Sequence, residues 1–165
     1  MVIIVMGVSG SGKTTVGQRL AAALGCQFRD ADDFHPPGNI AKMAAGIALT
    51  DEDRAPWLTV LRERVENTLA AGEALVLACS ALKRAYRERL TVDAARQRWV
   101  YLRVPREILA RRLMARTGHY MPAVLLDSQL AALEVPEDAL VVEATADPDT
   151  LVATLLRELG PRPAP

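Results

Sequence analysis

Residues Gly7-Val8-Ser9-Gly10-Ser11-Gly12-Lys13-Thr14 satisfy the spacing GxxxxGKT, and the residue types explain what that spacing can do. Glycines let successive backbone N–H groups turn inward around phosphate oxygens, and a helix beginning at the end of the motif aims the positive end of its dipole at the same anion. Lys13 then reaches the β- and γ-phosphates of a nucleoside triphosphate, and the Thr14 hydroxyl is placed to coordinate a Mg²⁺ ion that bridges them. Gly7, Ser9, Gly10, Ser11, Gly12, Lys13, Thr14 and Thr15 make up the expected nucleotide site. The motif alone does not separate a kinase from a GTPase or a motor ATPase, because all three cradle phosphate in this way.

The acceptor side supplies that distinction. Asp30 and Asp32 form a DxD at the end of a predicted second strand, where alternation along the strand sends both side chains to the face of the phosphate loop. Transfer to an alcohol needs one carboxylate to orient the hydroxyl and take its proton, a role that falls to Asp32. A second can hold the metal through water, a role that falls to Asp30. Taken alone, a DxD reads more readily as a solvated acidic turn or helix cap. Its place directly after a phosphate-loop unit favours phosphoryl transfer.

The elements that must position these groups follow from hydrophobic patterning. Val2 to Met6 is a short apolar run ending at a glycine, which fits a buried parallel strand. A helix over 13–24 follows, then a strand from Cys26 to about Ala31 and a short helix from Asn39 to Ala45. Thr50 and Asp53 have capping-box spacing ahead of a helix that carries Trp57, Leu61, Val65 and Leu69 on one face and ends near Gly72. Ala74 to Ala78 reads as a third strand, Ala81 to Leu90 as a helix and Trp99 to Val104 as a fourth strand. Pro105 opens a helix to about Arg116, and helix resumes over 125–133 after a break at Gly118 to Pro122. Leu140 to Glu143 is a last strand, and Asp147-Pro148 caps a final helix that runs to Gly160. Alternating strands and helices imply an α/β domain over 1–160, with a mostly parallel sheet of five strands and helices on both faces. A lid is expected over about 116–136, and a frayed Pro-rich tail over 161–165. Arg112 and Arg116 lie one helical turn apart on a face directed at that lid, where they can stabilise charge on the transferring group.

With 165 residues, of which Lys plus Arg and Asp plus Glu each number 20, the chain fits one compact domain without the basic excess that draws proteins to nucleic acid or anionic membrane. No stretch approaches a membrane span. Cys26 and Cys79 are far apart and outside any CxxC pair, so they are expected as buried thiols in a reducing, cytoplasmic setting.

Beyond the phosphate loop, the chain resembles the bacterial-type gluconate kinases. The resemblance rests on Asp30-Ala31-Asp32-Asp33-Phe34-His35-Pro36, Asn39, Lys42-Met43, Leu49-Thr50-Asp51, Asp53-Arg54, Trp57-Leu58, Ala78 to Lys83, Tyr86-Arg87, Arg116, His119, Ser128-Gln129, Leu133-Glu134 and Pro136. It implies a three-layer P-loop kinase fold with a lid, similar to that of shikimate and nucleoside monophosphate kinases. It also implies ATP-dependent phosphorylation of D-gluconate on its 6-hydroxyl to 6-phosphogluconate, and a homodimer. Ala31 stands where the family usually has glycine, and Tyr120 where it usually has phenylalanine.

A sugar acid offers one carboxylate and several hydroxyls, so its pocket should combine a cation with a row of donors and acceptors. His35, Lys42, Asp51, Arg54, Ser80, Lys83 and Arg87 are the candidates, and Arg54 or Arg87 can fork a carboxylate where a lysine offers a point charge. A shikimate kinase would share the loop and the DxD but would add a Gly-Gly-Gly segment that this chain lacks. A regulatory module that holds ATP without turnover would not need Lys13, Thr14 and Asp32 together.

Overall fold

The structure is a computed structural model that describes residues 1–115 and 123–160, with side chains described for all of these except 123–125. Five parallel strands form one sheet in the order β2-β3-β1-β4-β5. These are β1 (Val2–Met6), β2 (Gln27–Asp30), β3 (Leu75–Ala78), β4 (Gln97–Arg103) and β5 (Leu140–Glu143). Between them run α1 (Lys13–Leu24), α2 (Pro37–Ala44), α3 (Asp51–Ala70), α4 (Arg84–Leu90), α5 (Arg106–Met114), α6 (Ala123–Ala132) and α7 (Pro148–Leu159).

The central strand shows why the sheet is covered twice. All five β1 residues are buried, but alternate side chains go to opposite layers. Ile3 and Val5 pack with α1, α5 and α7 through Val16, Leu20, Leu109, Leu151 and Leu155. Val2, Ile4 and Met6 pack with α3 and α4 through Trp57, Leu61, Val65, Leu69 and Leu90. A strand with apolar side chains on both faces can satisfy both only inside a three-layer arrangement. Because β1 is flanked by β3 and β4, the loop after β1 opens at the carboxyl edge of the sheet, where the crossovers diverge to either side.

Several boundaries differ from the periodic reading. The second strand ends at Asp30, and Ala31–Phe34 form a 3-10 turn capped by the Asp30 side chain, which accepts from the Asp32 N–H. Strand alternation therefore does not orient Asp32; a local turn does. The helix expected from Ala81 begins at Arg84, because Ala81 adopts a left-handed φ of 40° and Lys83 is the N-cap. The fourth strand begins two residues early, at Gln97. Its buried amide accepts from the Val92 and Asp93 N–H groups and donates to Leu90 O, a polar anchor that hydropathy does not register. The Thr50–Asp53 capping box and the Asp147 cap form as the sequence implies.

Of the expected lid, residues 116–122 lie outside the described residues, and the remainder is α6 with the turn that follows it. Among the described residues no disulfide forms and no helix is long and apolar enough to cross a membrane. Cys79 is fully buried, which pushes its thiol up to about 12, whereas Cys26 is only half-buried.

Candidate active site

The loop between β1 and α1 is shaped by backbone that only glycine adopts easily. Gly7 has φ 149°, and a Cβ there would stand 2.8 Å from Ser11 Oγ and 3.0 Å from Leu102 O. Gly12 has φ 97° and caps α1 without any side-chain hydrogen bond. The first N–H groups of α1 therefore face the loop's concavity with no side chain of the cap competing for them, the arrangement that binds phosphate oxygens. Lys13 Nζ donates to Val8 O at 3.2 Å, which folds its stem back across the loop.

The DxD turn is tied to that loop directly. Thr14 Oγ1 donates to Asp30 Oδ2 at 2.7 Å, while Asp30 Oδ1 accepts from the Asp32 N–H at 3.1 Å. One carboxylate thus joins the last residue of the phosphate motif to the backbone that carries Asp32. Trp57 fixes the same turn from below, its indole N–H donating to Ala31 O at 2.7 Å. The Asp32 side chain is exposed, yet the protein atoms around it hold its pKa above the usual carboxylate value, with desolvation the largest cause. The charge of Lys13 opposes that desolvation and Asp30 reinforces it.

The acceptor candidates separate into three groups. Asp51, Arg54 and Lys83 converge around Tyr86, which the sequence reading did not single out as a site residue. Asp51 accepts from Lys83 Nζ at 2.8 Å and from the Tyr86 hydroxyl, and the Arg54 guanidinium lies 5.7 Å from the Tyr86 ring centroid. Hydrogen bonds from Lys83 and Tyr86 hold the Asp51 carboxyl below the usual range.

His35 and Lys42 form a second group that is structural as much as chemical. The His35 ring stacks on Trp57 with centroids 4.4 Å apart, and Lys42 Nζ pairs with Asp53 at 2.7 Å. Asn39 Nδ2 donates to Asp53 O at 2.8 Å and lies 3.3 Å from His35 Nδ1, which accepts when the imidazole is neutral. Burial lowers the His35 pKa, only partly opposed by Asp32, so folding favours the neutral ring. A depressed histidine pKa contributes stability that is present above the unfolded value of 6.5 and is lost as pH falls through it. His35→Phe, which keeps the stack but cannot titrate, should therefore flatten the fall in unfolding midpoint between about pH 7 and 5. An equal fall in variant and wild type would refute the assignment.

Arg87 stands apart from both groups. Its Nη1 donates to Ala81 O and Leu82 O, holding the loop before α4, and burial lowers its pKa. It lines a cavity of about 670 Å³ with Arg84, Glu88, Glu134 and Asp138, a cavity that includes no residue of the phosphate loop. Arg87 is thus a scaffold for the loop that carries Ser80 and Lys83. Ser80 itself is half-buried just past β3.

Arg112 is tied to the phosphate loop and the end of β5, donating to Ala144 O at 2.9 Å and to Gly10 O and Ser11 O at 3.4 Å. It lines a cleft of about 530 Å³ with Gly12, Thr15, Thr145, Ala146 and Pro148, which places a half-buried guanidinium beside the phosphate cradle. In the sequence, Asp147-Pro148 carries only the signature of a helix cap. Arg116 and His119 lie outside the described residues.

This geometry can be set beside known proteins. A family model described as an AAA domain matches residues 2–136. A gluconokinase of Gluconobacter oxydans is 48% identical over 158 residues, spanning 94% of this chain and 89% of its own length. The chain belongs to the gluconokinase family. Among solved structures, a gluconokinase from Sinorhizobium meliloti 1021 superposes with a TM-score of 0.83 at 42% identity, covering 95% of this chain and 94% of that one. An unliganded sugar kinase from Janibacter sp. HTCC2649 gives a TM-score of 0.88 at 44% identity, covering 96% and 93%. Gluconokinase kinship accounts for an acceptor side rich in paired charges beside a nucleotide-binding loop.

Proposed function

We propose that the protein transfers the γ-phosphoryl group of ATP to the 6-hydroxyl of D-gluconate. The observation that carries this reading is the Thr14–Asp30–Asp32 chain of hydrogen bonds, which ties a carboxylate with a raised pKa to the end of the phosphate cradle. The loop amides and Lys13 hold the β- and γ-phosphates, and the cleft beside Arg112 and Pro148 takes the nucleoside. Asp32 orients the acceptor hydroxyl and receives its proton as the new O–P bond forms and the bond to the β–γ bridging oxygen breaks, the electron pair leaving on ADP. Its raised pKa makes it a better proton acceptor than an ordinary carboxylate.

The hard oxygens of Thr14 and Asp30 suit Mg²⁺. Thr14 Oγ1 and Asp30 Oδ2 lie 2.7 Å apart, and with the phosphates they would hold such an ion. Mg²⁺ bound there would neutralise charge on the phosphates. On the acceptor side, Arg54, Lys83 and Asp51, with Tyr86, offer the cation and the row of donors and acceptors that a sugar acid requires. Arg116 is assigned to the transferring phosphoryl group. Residues 1–160 act as one kinase domain with a lid over about 116–136, as a cytoplasmic homodimer, which sedimentation at micromolar concentration tests.

The deciding experiment is an acceptor panel. Purified protein with Mg²⁺ and ATP should form ADP on addition of D-gluconate, with 6-phosphogluconate as product. Turnover with another sugar acid or polyol but none with gluconate would overturn the reading.

A further inference from the structure

One segment grips loops on both sides of the cleft. From α6, the Gln129 amide holds Ser9 twice: its Oε1 accepts from the Ser9 N–H at 2.7 Å, and its Nε2 donates to Ser9 Oγ at 3.3 Å. Five residues on, Glu134 holds the loop before α4 twice. Its N–H donates to Leu82 O at 3.0 Å, and its carboxylate accepts from the Arg84 N–H. The second contact supplies from far along the chain a cap that Lys83, at the N-cap of α4, does not supply. The span between the two grips rests on the core through Leu130, which packs on the α1 layer, and Leu133, which touches both apolar layers, each partly buried; one turn before Gln129, Leu126 is 2% exposed. The same loop also accepts from Arg87, whose Nη1 donates to Ala81 O and Leu82 O. Ser9 belongs to the phosphate cradle, whereas Lys83 joins Asp51 and Tyr86 on the acceptor side.

We propose that Gln129 and Glu134 are positioning residues that couple the two halves of the site, so that ATP and the acceptor strengthen each other's binding. A ligand that immobilises either loop removes, through the rigid segment between them, freedom that the second ligand would otherwise have to remove. Neither side chain needs to touch the reacting atoms. The proposal rests on the reading that the Asp51–Lys83–Tyr86 side receives gluconate.

The test is the affinity of a non-hydrolysable ATP analogue with Mg²⁺, measured by calorimetry with and without saturating D-gluconate. In the wild type, gluconate should tighten analogue binding about fivefold or more. Q129A and E134A should bring that ratio close to one, while E134Q, which keeps an oxygen acceptor for the Arg84 N–H, should retain most of it. A variant that merely loosens the fold weakens binding in both conditions and leaves the ratio intact. A wild-type ratio of one, or wild-type ratios in both alanine variants, overturns the coupling. If E134A does not fold, Q129A decides alone. Gluconate turnover by the same wild-type preparation separates the two claims. Turnover without coupling removes only the bracket, whereas absence of turnover overturns the acceptor reading, and the coupling to gluconate falls with it.

Discussion

Asp32→Asn should lower kcat by about 10²- to 10⁴-fold and leave the affinity for ATP close to that of the wild type. The substitution removes the proton acceptor and keeps a side chain of the same shape in the same turn. Asp30 still caps that turn through the residue 32 N–H and still accepts from Thr14, so the phosphate cradle is untouched. Two further readouts distinguish a lost base from a damaged fold. Desolvation raises the folded-state pKa of Asp32 above its usual 3.8, so the group favours folding only at low pH, and that contribution is lost as pH rises through the folded value. At neutral pH the wild type holds an ionised carboxylate in a site that disfavours it. The asparagine variant should therefore be at least as stable as the wild type at pH 7, with its acid limb in kcat gone. Unchanged kcat, or a melting temperature that falls in step with activity, would remove Asp32 from the role of base.

Lys13→Met should lower kcat/KM by about 10²- to 10³-fold, the scale seen when one preorganised charge-stabilising donor is lost at a reacting oxyanion. Methionine retains much of the apolar stem and removes only the charged head. The effect reaches the acceptor side as well. Lys13 is the largest influence opposing desolvation at Asp32, so its loss should raise the Asp32 pKa further and move the acid limb of the residual activity to higher pH. An acid limb that stays in place or moves down would show that the two groups do not interact across the cleft.

These effects depend on features of unequal legibility in the sequence. The phosphate loop could be read directly, because its spacing and glycines encode a local backbone conformation flanked by a strand and a helix. The same holds for the unbroken apolar β1 run, the α3 stripe of Trp57, Leu61, Val65 and Leu69, and the caps at Thr50 and Asp147, all set by neighbours within a few residues. The DxD was legible as a pair, but its geometry was not. Asp32 is placed by a 3-10 turn that Trp57 pins from 26 residues away, and periodicity carries no trace of such a bond.

Charged residues divided least predictably. Lys42, Lys83, Arg87 and Arg112 look alike in a one-dimensional list, yet one pairs with Asp53, one with Asp51, one props a loop and one borders the cleft beside the phosphate loop. Those assignments follow from which carboxylate or carbonyl the fold brings within about 3 Å, a matter of long-range packing. Gln129 and Glu134 are the extreme case, since their partners stand 120 and 50 residues away. The sequence by itself determined that a nucleotide phosphate binds at Gly7–Thr14 beside two aspartates, because that chemistry is written in contiguous residues. Only the tertiary structure decided which carboxylate each cation meets, how the turn that carries Asp32 is held and what ties the two loops together, because those properties arise between segments that meet only when the sheet and its two helical layers assemble.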